Sequence, residues 1–195
     1  MKFDALKTFI AKRLQTELSD KLTYHGLNHT LEVLKNCQQY AEWFDLGDRD
    51  SILLQTAALM HDTGFLFTYN DHETESKRYT RELLPEYGFL ANDIDKICKM
   101  IESTRIPQNP TNDMEKMLAD SDLDYLGTSR FREISETLFQ ELMAFSKIKS
   151  REEWNRIQVN FLEKHRYHTT FAREHREPVK QTHLLKLKQI ISSKS

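Results

Sequence analysis

The stretch that decides the fold is an apolar segment that runs directly into two ionisable residues: positions 52–64 read ILLQTAALMHDTG. Residues 52–60 are almost uniformly apolar, which predicts a helix that is buried on most of its sides. His61 and Asp62 follow at the end of this helix, where burying them without partners would cost free energy. We therefore expect other polar side chains to converge on this helix end.

Two other segments carry side chains suited to meet this pair. The apolar stripe of a helix that begins at Leu27 projects back to His29, and a later helix carries Asp120, Asp122 and Asp124. Two imidazoles and two carboxylates around one divalent ion give mixed nitrogen and oxygen ligation, with positions left for water and substrate. The pattern indicates a metal centre that is open for catalysis.

The composition predicts an all-α fold. The 195 residues include only five Gly and four Pro, too few for the frequent turns of a β-sandwich or barrel. At about 150 residues per domain, we expect one domain over residues 1–195. The periodicity of apolar residues predicts helices over residues 3–19, 27–44, 52–60, 72–84, 91–104, 113–126, 131–148, 152–167 and 178–191.

Charge and hydropathy narrow the classes of protein further. The formal net charge of −2 lacks the basic excess of a typical nucleic-acid binder. No apolar run approaches the length of a membrane span, and residues 1–20 lack the apolar centre of a signal peptide, so we expect a cytoplasmic protein without a membrane partner. Cys37 and Cys98 lie within apolar helical patterns, which indicates packed thiols and neither a disulfide nor a zinc site.

The last part of the chain is basic. Residues 164–195 contain eight Lys or Arg against two Glu, and four of the eight histidines. Two interpretations stay open: a patch for an anionic substrate or partner, or a basic last helix packed by Leu184, Leu187 and Ile191.

Taken together, these motifs resemble the HD-domain metal-dependent phosphohydrolases, whose pattern is H…HD…D across a helical bundle. Here the pattern maps onto YHGLNHT at 24–30, AALMHDTG at 57–64 and LADSDLDYLG at 118–127. The resemblance covers about residues 22–127. It implies an HD-like helical bundle, to which residues 128–195 add further C-terminal helices.

The resemblance also implies roles for individual residues. His29, His61, Asp62 and one later aspartate would bind one divalent metal ion (Mn, Fe, Co, Ni, Zn or Mg), and Asp62 would be the catalytic residue that orients the attacking water. The family's pattern of a small residue followed by Asp favours Asp120 as the last ligand. The apolar arc of that helix centres nearer Asp122, which stays as the alternative.

Departures from the family's subgroups bear on the substrate. Residues 65–67 replace the Glu-Asp pair of alarmone hydrolases, which disfavours that activity. No histidine lies between His72 and His165, which favours one metal over the several of cyclic-dinucleotide phosphodiesterases. His72, Lys77 and Arg105 are candidates for binding the substrate, since an anionic ester usually needs an extra cation.

These expectations define one leading function and two alternatives. The leading hypothesis is a phosphohydrolase that cleaves a phosphomonoester or phosphodiester of a small molecule, preferably a nucleotide, with metal-activated water. A catalytically silent regulatory module that binds a metal or a nucleotide is the first alternative. The second is a helical interaction protein in which the His-Asp doublet is accidental. The sequence does not determine the oligomeric state and is compatible with a homo-oligomer.

Overall fold

The computed structural model describes residues 1–193, and within them the chain forms ten α-helices, three short 3-10 helices and no β-strand. The predicted all-α class is confirmed. None of these helices is long and apolar enough to cross a membrane. The α-helices are α1 (Phe3–Glu17), α2 (Leu27–Trp43), α3 (Asp48–Met60), α4 (His72–Leu83), α5 (Ala91–Thr104), α6 (Asp113–Asp122), α7 (Phe131–Ala144), α8 (Arg151–Lys164), α9 (Thr170–His175) and α10 (Glu177–Ser192); the 3-10 helices are Thr63–Leu66, Leu84–Tyr87 and Asp124–Gly127.

Most helix boundaries follow local sequence signals, and the differences from prediction have local causes. Helix α3 begins at Asp48, earlier than predicted, because Gly47 precedes it in an extended conformation and acidic residues fill its first turn. Helix α7 ends at Ala144 because the chain enters a left-handed turn at Ser146. The sequence analysis missed α9, whose N-cap is the side chain of Thr169.

The described chain divides into two compact units. The first comprises Met1–Ser19 and His25–Asp122, and the second comprises Asp20–Tyr24 and the chain from Leu123 onward. The second unit thus begins near the predicted end of the motif region. The prediction of a single domain over residues 1–195 stays a prediction.

Helix α3 is the centre of the first unit and packs against α2, α5 and α6. Seven of its 13 residues are buried, as the uniformly apolar sequence predicts. Cys37 on α2 and Cys98 on α5 are buried free thiols within this unit. Because these three helices enclose α3, they hold the residues at its C-terminal end in fixed positions.

The second unit is built on helices α7 to α10 and the 3-10 helix Asp124–Gly127. The Tyr167 hydroxyl donates a hydrogen bond to the Leu123 carbonyl (3.1 Å), and Arg176 pairs with Asp124 (2.7 Å). Gly127 permits this packing, since a Cβ there would lie 2.4 Å from the Arg176 carbonyl oxygen. These contacts fix the start of the second unit against its last helix.

Candidate metal centre

The end of α3 presents His61 with a defined ring orientation. His61 follows Met60, the last residue of α3, and is 1% exposed. Its Nδ1 donates a hydrogen bond to the Ala58 carbonyl (2.7 Å). Because Nδ1 is engaged in this hydrogen bond, Nε2 is the nitrogen that faces inward, which is the orientation of a metal-binding histidine.

His29 approaches the same point from the first turn of α2. Its Nε2 lies 3.3 Å from His61 Nε2, and the ring is buried. Two imidazole nitrogens that face each other at this distance need a proton or a cation between their lone pairs. The predicted convergence of His29 and His61 is therefore present in the structure.

The carboxylate that completes this group is Asp122, the last residue of α6. Its Oδ1 lies 3.1 Å from His29 Nε2 and 3.5 Å from His61 Nε2. His29, His61 and Asp122 form a group whose ligand atoms all lie within 4.8 Å of one another. Asp120, the preferred ligand in the sequence analysis, is fully buried but is not part of this group.

The choice between the two aspartates follows from helical geometry. At about 100° per residue, side chains two positions apart point in nearly opposite directions, so Asp120 and Asp122 do not reach one metal together. Asp120 is the more deeply buried of the two, whereas Asp122 is partly exposed and is the one that lies beside both histidines. The geometry favours the alternative, Asp122, over the family's small-residue-then-Asp pattern.

Asp62 lies beside the same histidines and carries a carboxylate oxygen without a hydrogen bond. Its Oδ2 is 3.2 Å from His61 Nε2 and 3.4 Å from His29 Nε2, and it is buried without a hydrogen-bond partner in the described part of the chain. The other oxygen, Oδ1, lies 3.3 Å from His72 Nε2. His72, which was predicted to bind the substrate, therefore contacts Asp62. Its role in substrate binding stays a prediction.

The electrostatic interactions in this cluster favour the charged forms of His61, Asp62 and Asp122. Burial lowers the pKa of His61, but the charges and hydrogen bonds of Asp62 and Asp122 exceed this effect and raise it well above its usual value. Burial raises the pKa of Asp62, but the charge of His61 and the close approach of the His61 and His72 rings bring it well below its usual value. The pKa of Asp122 is lowered too, since its hydrogen bonds to both histidines outweigh burial. Both carboxylates are anions at neutral pH.

These residues fit a divalent metal ion. Two imidazole nitrogens and two carboxylate groups converge, which is a donor set suited to a borderline transition metal. The unpartnered Oδ2 of Asp62 is the strongest single observation, because a buried anion without a hydrogen bond needs a compensating cation. His29, His61, Asp62 and Asp122, named the metal cluster below, would hold the ion.

A stack of rings, missed by the sequence analysis, borders the metal cluster. Phe65 packs against both His25 and His72, with ring centroids 4.4 Å from the first and 4.1 Å from the second, and the two histidine centroids lie 5.9 Å apart. Gly64 makes this stack possible, because a Cβ there would lie 1.9 Å from the His72 carbonyl oxygen. The Gly64 amide also donates to Ser76 Oγ (2.7 Å). The glycine of the His-Asp-Thr-Gly segment was the available signal for this close approach.

Lys77 and Arg105 are engaged with carboxylates. Lys77 Nζ is paired with Glu102. Arg105 pairs with Asp71 (2.7 Å) and with the same Glu102 (2.9 Å). Their role in binding a substrate phosphate stays a prediction, and a phosphate would have to displace these carboxylates.

Comparison with known proteins agrees with this fold. The HD domain family model matches residues 26–126, just over half of the chain. The crystal structure of a predicted HD superfamily hydrolase from an uncultured Thermotogales bacterium is similar, with a TM-score of 0.62 and 22% identity over 96% of this chain and 92% of that one. No curated protein matches the sequence.

A helical protein with an H…HD…D cluster is an HD-type protein, and the match of the family model identifies the chain as a member of the HD domain family. The residues matched include His29, His61, Asp62 and Asp122. The expected family membership is thereby confirmed.

Proposed function

We propose that this protein is a metal-dependent phosphohydrolase that cleaves a phosphomonoester or phosphodiester of a small molecule, with a nucleotide as the preferred substrate class. The observation that carries the proposal is the buried, unpartnered oxygen of Asp62 beside two histidines that face each other. The similarity to a protein named as a predicted HD superfamily hydrolase supports the same reaction class.

Each residue of the metal cluster has a distinct task in this proposal. His29, His61 and Asp122 would hold the ion, and the Ala58 carbonyl holds the His61 ring so that Nε2 faces the site. A divalent ion supplies Lewis acidity here: it lowers the pKa of water and offsets negative charge on a phosphoryl oxygen. Asp62 would share in holding the ion, and its carboxylate accepts a hydrogen bond from the attacking water, which it orients towards phosphorus.

His72 positions Asp62. Its Nε2 lies 3.3 Å from Asp62 Oδ1, and the stack on Phe65 restrains its ring. With Oδ1 held in this way, Oδ2 keeps its direction towards the two histidines. The side chain of His72 is 19% exposed, so one edge of its ring also remains accessible to a substrate phosphate.

The ring stack supports the choice of a nucleotide. His25 lies beside the metal cluster, is partly exposed and packs one face on Phe65. Aromatic rings at the edge of a phosphoester site offer stacking area to a planar base. The neighbouring groups thus suit a substrate with both a phosphate and a flat ring.

The test is a phosphate-release assay. Purified protein is supplied with Mn²⁺, Co²⁺, Ni²⁺ or Mg²⁺ and with p-nitrophenyl phosphate, bis-p-nitrophenyl phosphate, nucleoside monophosphates and cyclic nucleotides. Turnover is expected with at least one pair of metal and substrate, and Asp62→Asn should abolish it. Asp93→Asn is the matched control, because Asp93 is a buried carboxylate of the same unit that pairs with Arg49 (2.9 Å).

The outcomes separate the candidate functions. Loss of turnover in Asp62→Asn with retention in Asp93→Asn supports hydrolysis at the metal cluster. Equal activity of Asp62→Asn and the wild-type protein overturns it. Metal or nucleotide binding without turnover of any substrate contradicts hydrolysis and favours the regulatory module.

A further inference from the structure

The second unit contains a cavity of about 500 Å³ that three helices build from their facing sides. Helix α8 contributes Arg151, Asn155 and Gln158, and α10 contributes His183, Lys186 and Ile190. These residues are three or four positions apart, so each set forms one helix face. The first turns of α7 supply the remaining wall. We name this cavity the α7–α8–α10 pocket.

The residues that line this pocket carry an excess of positive charge. Its described lining holds Arg132, Arg151 and Lys186 against a single acid, Glu136, and Arg151 pairs with that acid at 2.6 Å. Arg132 and Lys186 form no ion pair or side-chain hydrogen bond with any residue that the structure describes. Two cations at the pocket mouth are therefore available to an anion.

The floor of the pocket carries an unsatisfied polar group. Gln158 is 7% exposed, and its buried Oε1 has no hydrogen-bond partner within residues 1–193. A buried carbonyl without a donor costs free energy, and a bound ligand that donates an N–H or O–H would recover it. Asn155, also buried, lies one turn before Gln158 and adds a second amide to the same floor.

One wall of the pocket is aromatic. The rings of Phe131 and His183 are nearly parallel, with an interplanar angle of 18° and centroids 4.6 Å apart. His183 Nε2 donates to the Thr128 carbonyl (2.8 Å), which fixes the orientation of its ring. Since His183 is partly exposed, the wall offers flat area next to the two amides.

We propose that the α7–α8–α10 pocket binds a small phosphate-bearing ligand with a planar, hydrogen-bonding group, the chemical class of a nucleotide. Arg132 and Lys186 bind the phosphate, Gln158 accepts a hydrogen bond from the planar group, and the Phe131–His183 wall packs against it. The volume lies within the usual range of small-ligand pockets. The inference depends only on residues of the second unit and goes beyond the proposed hydrolysis.

The test is isothermal titration calorimetry with the chelator-treated 195-residue chain, so that the metal cluster is not loaded. The probes are adenosine 5′-monophosphate, inorganic pyrophosphate and adenosine. We expect the monophosphate to bind, and Arg132→Ala/Lys186→Ala to weaken binding by at least about tenfold. Lys149→Ala/Arg156→Ala is the matched control, because it removes the same charge from two exposed cations outside the pocket.

A second variant tests the floor of the pocket. Gln158→Met keeps the size of the side chain but removes the buried carbonyl, so the ligand-free protein should melt at the same temperature or higher. Binding of the monophosphate should nevertheless weaken by about tenfold. Wild-type affinity in Gln158→Met would show that Oε1 does not contact the ligand and would overturn the assigned binding mode.

The remaining outcomes are also decisive. Binding of the monophosphate that the Arg132/Lys186 variant loses and the Lys149/Arg156 control keeps supports the pocket. An equal loss in both double variants indicates unspecific attraction by surface charge and overturns it. Absence of binding by both phosphate probes, or adenosine binding as tightly as its monophosphate, overturns it as well.

Discussion

The metal cluster and the α7–α8–α10 pocket have opposite imbalances of charge. In the metal cluster, Asp62 and Asp122 lie beside His29 and His61, and one buried carboxylate oxygen has no hydrogen bond. In the pocket, Arg132 and Lys186 have no acidic partner among the described residues. The first arrangement requires a cation and the second attracts an anion. The sign of the uncompensated charge thus indicates whether each region binds a cation or an anion.

Charges elsewhere in the molecule show why this imbalance is informative. Lys77 pairs with Glu102, Arg105 with Asp71, and the largely buried Asp124 with Arg176. Such pairs satisfy one another and leave little for a ligand. Residue type alone therefore does not identify a ligand-binding site, because a charged side chain that is paired within the fold has little attraction left for a ligand.

The largest expected effect is the loss of the metal from Asp122→Asn. An amide keeps the shape of the side chain but removes the charge that faces His29 and His61. Loss of a direct ligand should weaken metal binding by more than about 100-fold, since second-shell changes alone cost up to that much. Calorimetric titration with Mn²⁺ and elemental analysis of the purified protein measure this loss.

Asp120→Asn provides the comparison that decides between the two aspartates. Asp120 is buried on the same helix, so the two variants differ mainly in which carboxylate is neutralised. We expect Asp120→Asn to retain metal at near wild-type affinity. The assignment of Asp122 would be refuted by the reverse result, in which Asp120→Asn loses the metal and Asp122→Asn keeps it.

The next largest effect is on thermal stability. A metal that binds only the folded chain stabilises it by about 2.7 kcal/mol at a free concentration 100 times its dissociation constant. For a chain of this size, that corresponds to a rise in Tm of roughly 5–11 °C. Scanning fluorimetry after chelation and after return of Mn²⁺ measures the shift. An equal shift in Asp122→Asn would place the responsible metal elsewhere.

Apart from α9, the helices could be predicted from the sequence, and so could the meeting of His29, His61 and Asp62, whereas the preferred last ligand was Asp120 and not Asp122. Apolar periodicity depends on local spacing, so α2, α3 and α5 could be predicted within a few residues. The selection of Asp122 depends on the rotation of α6 about its axis, which is set by packing against α2, α3 and α5. A shift of two residues along a helix nearly reverses the side-chain direction. A sequence motif does not specify how its helix is rotated, so it cannot decide between the two aspartates.

The ring stack and the pocket were beyond sequence reasoning for a related reason. His25 and Phe65 are 40 positions apart, and His72 joins them because Gly64 permits the close approach of its backbone. The pocket combines faces of three helices, each of which carries ordinary surface residues when considered alone. The basic character of residues 164–195 was visible, whereas the unpaired state of Lys186 depends on the fold.

A smaller effect is expected from His72→Phe, which keeps a ring on Phe65 and removes the nitrogen beside Asp62. If His72 positions Asp62, kcat should fall on the order of 10- to 100-fold, with the metal retained and KM little changed. A rise in KM at constant kcat would instead assign His72 to substrate binding. His175→Phe, an exposed histidine that contacts Phe171, is the matched control.

The smallest effect is expected from Lys77→Ala. Its ammonium is paired with the half-exposed carboxylate of Glu102, and such surface pairs contribute at most about 1 kcal/mol to stability. We expect a slight fall in Tm and an unchanged KM, since the pair already satisfies this cation. Steady-state kinetics of Lys77→Ala and of Lys77→Ala/Arg105→Ala measure this directly. A clear rise in KM in either variant would show that substrate phosphate displaces Glu102, and that a paired cation can still serve the site.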